Sequence, residues 1–159
     1  MVSAEERLAA LGLRLPPPPR ALAAYTPTVR ADRLVFVSGQ VPFVEGKPWK
    51  RGKLGAGIDI TTGQEAARIA ALNLLSALRE AAASLDQIER LLRITVFVAS
   101  APGFNAQPQV ADGASKLLVD VLGDAGLATR SAVGVAELPA DVPVEIDAIA
   151  LLRADALAT

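Results

Sequence analysis

The sequence predicts a single α/β domain, more narrowly α+β, in which one mixed sheet carries two helices on one face. The length of 159 residues suits one domain with one core. A long stretch with helical periodicity occupies the middle of the chain, and segments rich in alternating β-branched residues lie before and after it. We therefore expect one domain over residues 21–159, preceded by an N-terminal arm over residues 1–20.

The arm begins with a short predicted helix and continues with prolines. Ser3 is followed three residues later by Glu6, which is the spacing of a capping box, and the helix should end near Gly12. The run from Pro16 to Pro19 favours an extended polyproline segment. We expect this arm to lie over the domain or over a neighbouring subunit.

Two strands are predicted at the start of the domain, at 25–30 and 34–38, with a tight connection at 31–33. Gly39 ends the second strand. The segment 45–57 is rich in glycine, proline and charge, which predicts a surface hairpin or loop.

The clearest helix is predicted at 62–84, because Thr62 and Glu65 form a second capping box. Its apolar side chains recur on one face, which should cover the sheet: Ile69, Leu72, Leu75 and Leu78. An alternating strand at 93–100 and a second helix at 107–122 follow.

The chain ends with two predicted strands, 130–138 and 144–152, paired as a hairpin through the proline-containing turn 139–143. The element order is then β-β-α-β-α-β-β, and both main helices should lie on one sheet face. In a chain this short, we expect another subunit to cover the opposite face.

The composition excludes several kinds of site. The chain contains no cysteine and no histidine, so disulfides, thiolate nucleophiles, Ser-His-Asp triads and the common zinc sites cannot be built. We expect neither a metal nor a cofactor. Any chemistry must use Arg, Lys, Asp, Glu, Tyr, Ser, backbone groups or water.

Charge and hydropathy limit the kinds of binding partner that the chain can have. The net charge is −1 and the basic residues are scattered, so nucleic acid is a poor candidate partner. The N-terminus has acidic residues and no apolar run, and no segment reaches the length of a membrane span. We expect a soluble, cytoplasmic protein without membrane contact.

The candidate chemical residues concentrate in the last two strands. Arg130 begins one strand, where its guanidinium could bind a carboxylate through two hydrogen bonds; an ordinary structural ion pair explains it as well. Glu145 and Asp147 share one face of the other strand. That face is either a solvated surface or the place of a carboxylate that positions or deprotonates a water near Arg130.

Three further residues are weaker candidates. Tyr25 is the only tyrosine, and a lone tyrosine before a strand serves packing more often than chemistry. Ser38 and Gly39 lie at a strand end, where the glycine permits close backbone approach, although a simple turn is an equal explanation.

Three motifs resemble the Rid/YjgF family, also labelled the L-PSP endoribonuclease family. Residues 130–139 read RSAVGVAELP and residues 144–150 read VEIDAIA, similar to the family's C-terminal signature. Residues 37–42, VSGQVP, resemble its Ser-Gly-Gln-hydrophobic-Pro motif, and residues 95–98, TVFV, resemble its central strand. Together the matches extend over most of residues 22–152, in the family's order.

The resemblance implies a chorismate-mutase-like homotrimer with ligand clefts between subunits. It implies that Arg130 binds the carboxylate of a small 2-imino or enamine acid such as 2-aminoacrylate, which water hydrolyses to a keto acid and ammonia. Glu145 would then hold the water, while Tyr25, Ser38 and Gly39 would contact the substrate.

The chain also departs from the family. The N-terminal arm and the segment 100–116 are enlarged, Ala132 stands where cysteine is common, and Asp112 or Ser115 is the nearest match to a pocket asparagine.

Three functions follow from these observations. The first is hydrolytic deamination by a Rid-type hydrolase. The second is a non-catalytic regulatory trimer that binds a small carboxylate. The third is a ribonuclease or translation inhibitor, which ranks last because the chain lacks a basic patch and histidine.

Overall fold

The described part of the chain contains three α-helices and a main sheet of five strands. The structure is a computed structural model that describes residues 2–20 and 24–154; residues 21–23 and 155–159 of the predicted domain lie outside the described residues. The helices are α1, Ala4–Ala10; α2, Ile60–Ala82; and α3, Gln107–Leu122. The strands are β1, Thr28–Ala31; β2, Leu34–Gln40; β3, Phe43–Val44; β4, Lys47–Pro48; β5, Lys53–Leu54; β6, Gly57–Ile58; β7, Ile88–Ala99; β8, Thr129–Val135; and β9, Val144–Leu152.

The main sheet has the strand order β1-β2-β9-β7-β8, so the last strand of the chain is its central one. Only β7 and β8 run parallel within it, which makes the sheet mixed, as predicted. The four short strands β3 to β6 form two separate pairs within and beside the predicted surface segment 45–57.

The predicted hairpin between the last two strands is wrong, because β7 lies between β8 and β9. The strand-helix-strand unit β7-α3-β8 returns the chain parallel to β7. The link 139–143 then crosses the end of β7, where the Ala99 N–H donates to the Pro143 carbonyl at 2.9 Å. This crossing places β9 on the far side of β7.

Helices α2 and α3 cover the same face of the sheet, as predicted. Alternate residues of β9 are buried in the core beneath them: Val144, Ile146, Ala148, Ala150 and Leu152. The two helices pack closely at Gly113, where a Cβ would overlap the Gln64 carbonyl. The predicted bounds of the second helix and of the last strand agree with α3 and β9.

Helix α2 begins earlier than predicted. Asp59 is its N-cap, and its carboxylate accepts a hydrogen bond from the Thr62 N–H at 2.7 Å, so Thr62 lies in the first turn. This hydrogen bond lowers the pKa of Asp59. An aspartate ahead of the expected cap therefore takes the capping position. No helix of the described residues is long and apolar enough to cross a membrane.

The buried face of α2 is made largely of alanines. Leu75 and Leu78 are buried as predicted, whereas Ile69 and Leu72 are only half-buried. Small side chains, which let the helix approach closely, take the other buried positions: Ala66, Ala67, Ala70 and Ala71.

The opposite face of the sheet carries no helix in the described chain, which confirms the prediction of an uncovered face. Phe36 pairs in register with Val29 on one side and Ile149 on the other, so an apolar row crosses three strands. Phe36 is 42% exposed and Val29 is 53% exposed. A monomer would leave this row in water.

The N-terminal arm lies against its own domain. The capping box of Ser3 and Glu6 is present, and α1 ends at Ala10, slightly before the predicted end. Asp86 accepts hydrogen bonds from the first two N–H groups of α1 at 2.7 and 3.2 Å. The Ser76 hydroxyl of α2 donates to the Pro16 carbonyl at 2.6 Å, which fixes the proline segment to that helix.

Candidate functional site

Arg130 lies at the edge of the sheet and reaches toward helix α3. It pairs in register with buried Ile94, so its side chain lies on the helix-covered side of β8. Its Nη1 donates to Asp112 Oδ1 at 2.8 Å and to Ser115 Oγ at 3.0 Å. These two acceptors lie three residues apart on α3 and therefore on one helix face.

The ion pair with Asp112 shows that the structural explanation of Arg130 is partly correct. Yet Nε and Nη2 donate to none of the described residues, and the side chain remains 26% exposed. These two nitrogens form one edge of the guanidinium fork, which can hold a carboxylate bidentately. Arg130 is thus anchored by one nitrogen and presents its other donors at the sheet edge.

Glu145 lies on the uncovered face of the sheet, packed over Gly39. Its neighbours in β9 point into the core, and a Cβ on Gly39 would overlap Glu145 Oε1. Gly39 belongs to an irregularity where the register of β2 against β9 shifts between Val37 and Gln40. The missing side chain of Gly39 therefore makes room for this carboxylate.

Burial raises the pKa of Glu145, and the charge of Asp147 on the same face raises it further. Both causes disfavour the ionised form. Asp147 pairs in register with Thr95 of β7 and Glu145 with Phe97, so the two carboxylates are successive on the open face of the central strand.

Ser38 and Tyr25 lie near the same end of β2. The Ser38 hydroxyl donates to the Thr26 carbonyl at 2.7 Å, and the Ser38 N–H donates to the Pro27 carbonyl at 2.9 Å. These bonds tie the segment that follows Tyr25 to β2. Tyr25 itself is 53% exposed.

The structure therefore places Gly39 against Glu145, with Ser38 next to Gly39 in β2. Tyr25 precedes Thr26, whose carbonyl accepts from Ser38. Arg130 is not brought to this group. Arg130 lies on the helix side of an edge strand, whereas Glu145 lies on the open side of the central strand. Strand β7 separates the two. Within one chain, Arg130 and Glu145 therefore lie on opposite sides of the sheet.

Sequence reasoning did not name a second arginine, Arg93, among the candidate residues. Arg93 lies on the open face, in register with Ile149, and its Nη2 donates to Ser131 Oγ at 2.9 Å. It begins a predicted strand just as Arg130 does, which was the available signal. For metals, no group of three or more acidic side chains that could hold an ion occurs among residues 2–20 and 24–154.

Several known proteins are similar to this chain. A family model described as "YjgF/chorismate_mutase-like, putative endoribonuclease" matches residues 5–146. Protein TCP17 of Trypanosoma cruzi is 40% identical over 144 residues, which are 90% of this chain and 90% of that protein. The crystal structure of Atu1372 from Agrobacterium tumefaciens is 40% identical with a TM-score of 0.88, over 94% of this chain and 92% of that one. The crystal structure of E. coli TdcF with bound serine is 28% identical with a TM-score of 0.63, over 86% and 94%.

Proposed function

The chain belongs to the YjgF/chorismate-mutase-like family, which confirms the Rid/YjgF resemblance, and on this premise we propose that it hydrolyses small 2-imino acids to keto acids and ammonia. The observation that carries the proposal is the guanidinium of Arg130, which is anchored through Nη1 and presents two further donors at the sheet edge. A small substrate carboxylate fits that edge bidentately.

The proposed reaction needs no histidine, metal or cofactor. 2-Aminoacrylate tautomerises to the iminium of pyruvate, and a water oxygen forms a bond to the iminium carbon. The hydroxyl oxygen then forms the carbonyl as the C–N bond breaks, and the hydroxyl proton passes to the departing ammonia, so that pyruvate and ammonium leave. Arg130 orients the carboxylate, and Glu145 takes a proton from the water and returns it to the leaving nitrogen. The raised pKa of Glu145 suits a group that both accepts and donates a proton.

The proposal includes a homotrimer whose clefts lie between chains. Arg130 and Glu145 lie on opposite sides of the sheet in one chain, so a shared cleft would take each from a different copy. The apolar row of Val29, Phe36 and Ile149 offers a surface that a second copy would bury. Light scattering should give a trimer at micromolar concentration; a monomer would contradict the shared cleft.

The test is an assay with 2-aminoacrylate generated in place, following keto acid release. Arg130→Ala should lower kcat/KM by about two to three orders of magnitude, because two charge-assisted hydrogen bonds of roughly 1.5 to 3 kcal/mol each are lost. Arg130→Lys should lose most of this activity too, because an ammonium cannot form the bidentate fork.

A matched control is Arg68→Ala. Arg68 also faces a carboxylate, with its Nη1 3.4 Å from Glu65 Oε1 on α2, but it lies away from β8. This variant should keep native activity. Full activity in Arg130→Ala would remove the catalytic assignment.

A second candidate function is binding without turnover. TdcF, which is similar in fold, is described with bound serine, and a carboxylate ligand would need the same Arg130. Arg130-dependent binding of a small carboxylate, without hydrolysis of any small imino acid, would favour this function.

Endoribonuclease activity, which the family description names, remains the third candidate. A net charge of −1 favours little counterion release on contact with a nucleic-acid backbone. A gel-shift titration with RNA should show weak or no binding, and tight, salt-sensitive binding would favour this candidate instead.

A further inference from the structure

The anchor of Arg130 is itself charged. Asp112 Oδ1 accepts from Nη1 at 2.8 Å, while the Asp112 side chain is 61% exposed. Its second oxygen, Oδ2, accepts no hydrogen bond from the described residues. Beside the guanidinium there is therefore a mostly exposed carboxylate, one oxygen of which has no donor among the described residues.

Two acceptors on a single nitrogen define how the guanidinium is held. Asp112 and Ser115 fix the position of Nη1, and the rigid planar group then fixes where Nε and Nη2 point. Ser115 is neutral, so it positions Arg130 without changing the charge of the site. Asp112 positions Arg130 and also adds a negative charge.

The two charges select between classes of ligand. A simple carboxylate that approaches Arg130 meets the repulsion of Asp112, because the pair has no net charge. A ligand with a cationic nitrogen beside its carboxylate satisfies both groups: its carboxylate takes the Nε and Nη2 edge, and its nitrogen donates to Asp112 Oδ2.

We propose that Asp112 is a specificity-determining residue that restricts the Arg130 site to small zwitterions, and that Ser115 is a positioning residue for the guanidinium. The inference rests on the proposed function, since it requires that the ligand carboxylate meet Arg130. It adds that the site recognises a cationic nitrogen as well as a carboxylate, and that Asp112 of α3 binds this nitrogen.

The experiment compares L-alanine with L-lactate, which share size and carboxylate and differ in an ammonium against a hydroxyl. Affinities are measured by ligand-observed NMR titration, so turnover is not needed. The native protein should bind L-alanine more tightly by on the order of tenfold, the equivalent of one charge-assisted hydrogen bond.

Asp112→Asn keeps the shape of the side chain and removes its charge. The variant should bind L-alanine more weakly and L-lactate more tightly than the native protein does, so that the ratio of the two affinities comes close to one. Ser115→Ala should lower the affinities for both ligands by the same factor and keep the native affinity ratio. Asp120→Asn is the matched control, because Asp120 lies on the same helix, exposed, and makes no hydrogen bond to Arg130; its affinities should equal the native ones.

Arg130→Ala separates the two levels of the hypothesis. If Arg130→Ala abolishes binding but Asp112→Asn keeps the native ratio, the inference is overturned and the carboxylate site stands. A native preference for L-lactate overturns the inference as well. If neither ligand binds the native protein, or if Arg130→Ala binds both as well as the native protein does, the inference falls together with the proposed site.

Discussion

The two halves of the candidate site are built on opposite electrostatic arrangements. Arg130 is held at an exposed sheet edge by an opposite charge, Asp112. Glu145 is packed over Gly39 in the central strand, with a like charge, Asp147, two residues away. The first half stabilises charged groups, whereas the second disfavours the charged form.

In the proposed function, this difference suits each half to a different chemical task. An arginine keeps its charge at any physiological pH and suits permanent recognition of an anion. A partly buried carboxyl with a raised pKa suits proton exchange. Because the sheet separates the two halves within one chain, the proposed function combines the two tasks across two copies of the chain.

The largest expected effect comes from mixing two inactive variants. Arg130→Ala and Glu145→Ala should each be inactive alone, but their mixed trimers would contain some clefts with one intact residue from each chain. For random 1:1 assembly, about one quarter of the clefts should be native. Co-expression with two affinity tags, followed by the imine assay, measures the recovery.

The control is each variant co-expressed with itself under a second tag, which should stay inactive. If both residues of a cleft came from the same chain, no mixture would contain a native cleft. Mixed trimers with only parental activity would therefore show that the two halves do not combine across chains.

Local signals in the sequence predicted the helices and strands but not which strands are neighbours in the sheet. Helix α3 and strand β9 have the predicted bounds because periodicity and turn residues are local properties. The predicted hairpin of the last two strands failed because the position of β9 depends on how the chain crosses β7, which adjacency in sequence does not encode.

The sequence can nominate candidate residues one by one, but it cannot give their geometry. Arg130 and Glu145 stand out by residue type and strand position. Their placement on opposite sides of the sheet depends on strand order, and the contacts of Asp112 and Ser115 with Arg130 depend on the packing of α3 over β8. From the sequence alone, Asp112 and Ser115 are only the nearest matches to the family's pocket asparagine, and nothing indicates that they bind Arg130.

A smaller effect is expected from Gly39→Ala, which targets the Glu145 half alone. The added Cβ would overlap Glu145 Oε1, so the carboxylate must move. A displacement of this kind should lower kcat/KM by about ten- to a hundredfold. The melting temperature should change little, because the overlapping atoms, Oε1 and Cδ, belong to the carboxyl end of a flexible side chain.

A double variant separates this displacement from other effects. In a Glu145→Ala background the overlapping atoms are gone, so Gly39→Ala should leave the ligand affinity and the melting temperature unaltered. An equal loss of affinity in both backgrounds would mean that Gly39 acts through something other than Glu145.

The smallest effect is the pH dependence of stability at Glu145. Because its pKa is raised in the folded protein, the folded state binds this proton more tightly than the unfolded state does. Stability from this group therefore falls as pH rises from the ordinary value of 4.5 through the raised value, and the penalty is complete above it. Glu145→Gln should raise the melting temperature by a few degrees at most at neutral pH, as measured by differential scanning calorimetry.

The gain should disappear at about pH 3.5, where both states carry the proton and the native side chain is neutral as well. Asp147→Asn should give a smaller gain with the same pH dependence, because Asp147 is the lesser cause of the raised pKa, after burial. A gain in Glu145→Gln that persists unchanged at low pH would come from packing. In that case the ionised form of Glu145 would not be disfavoured, and the electrostatic contrast between the Glu145 half and the Arg130 half would not hold.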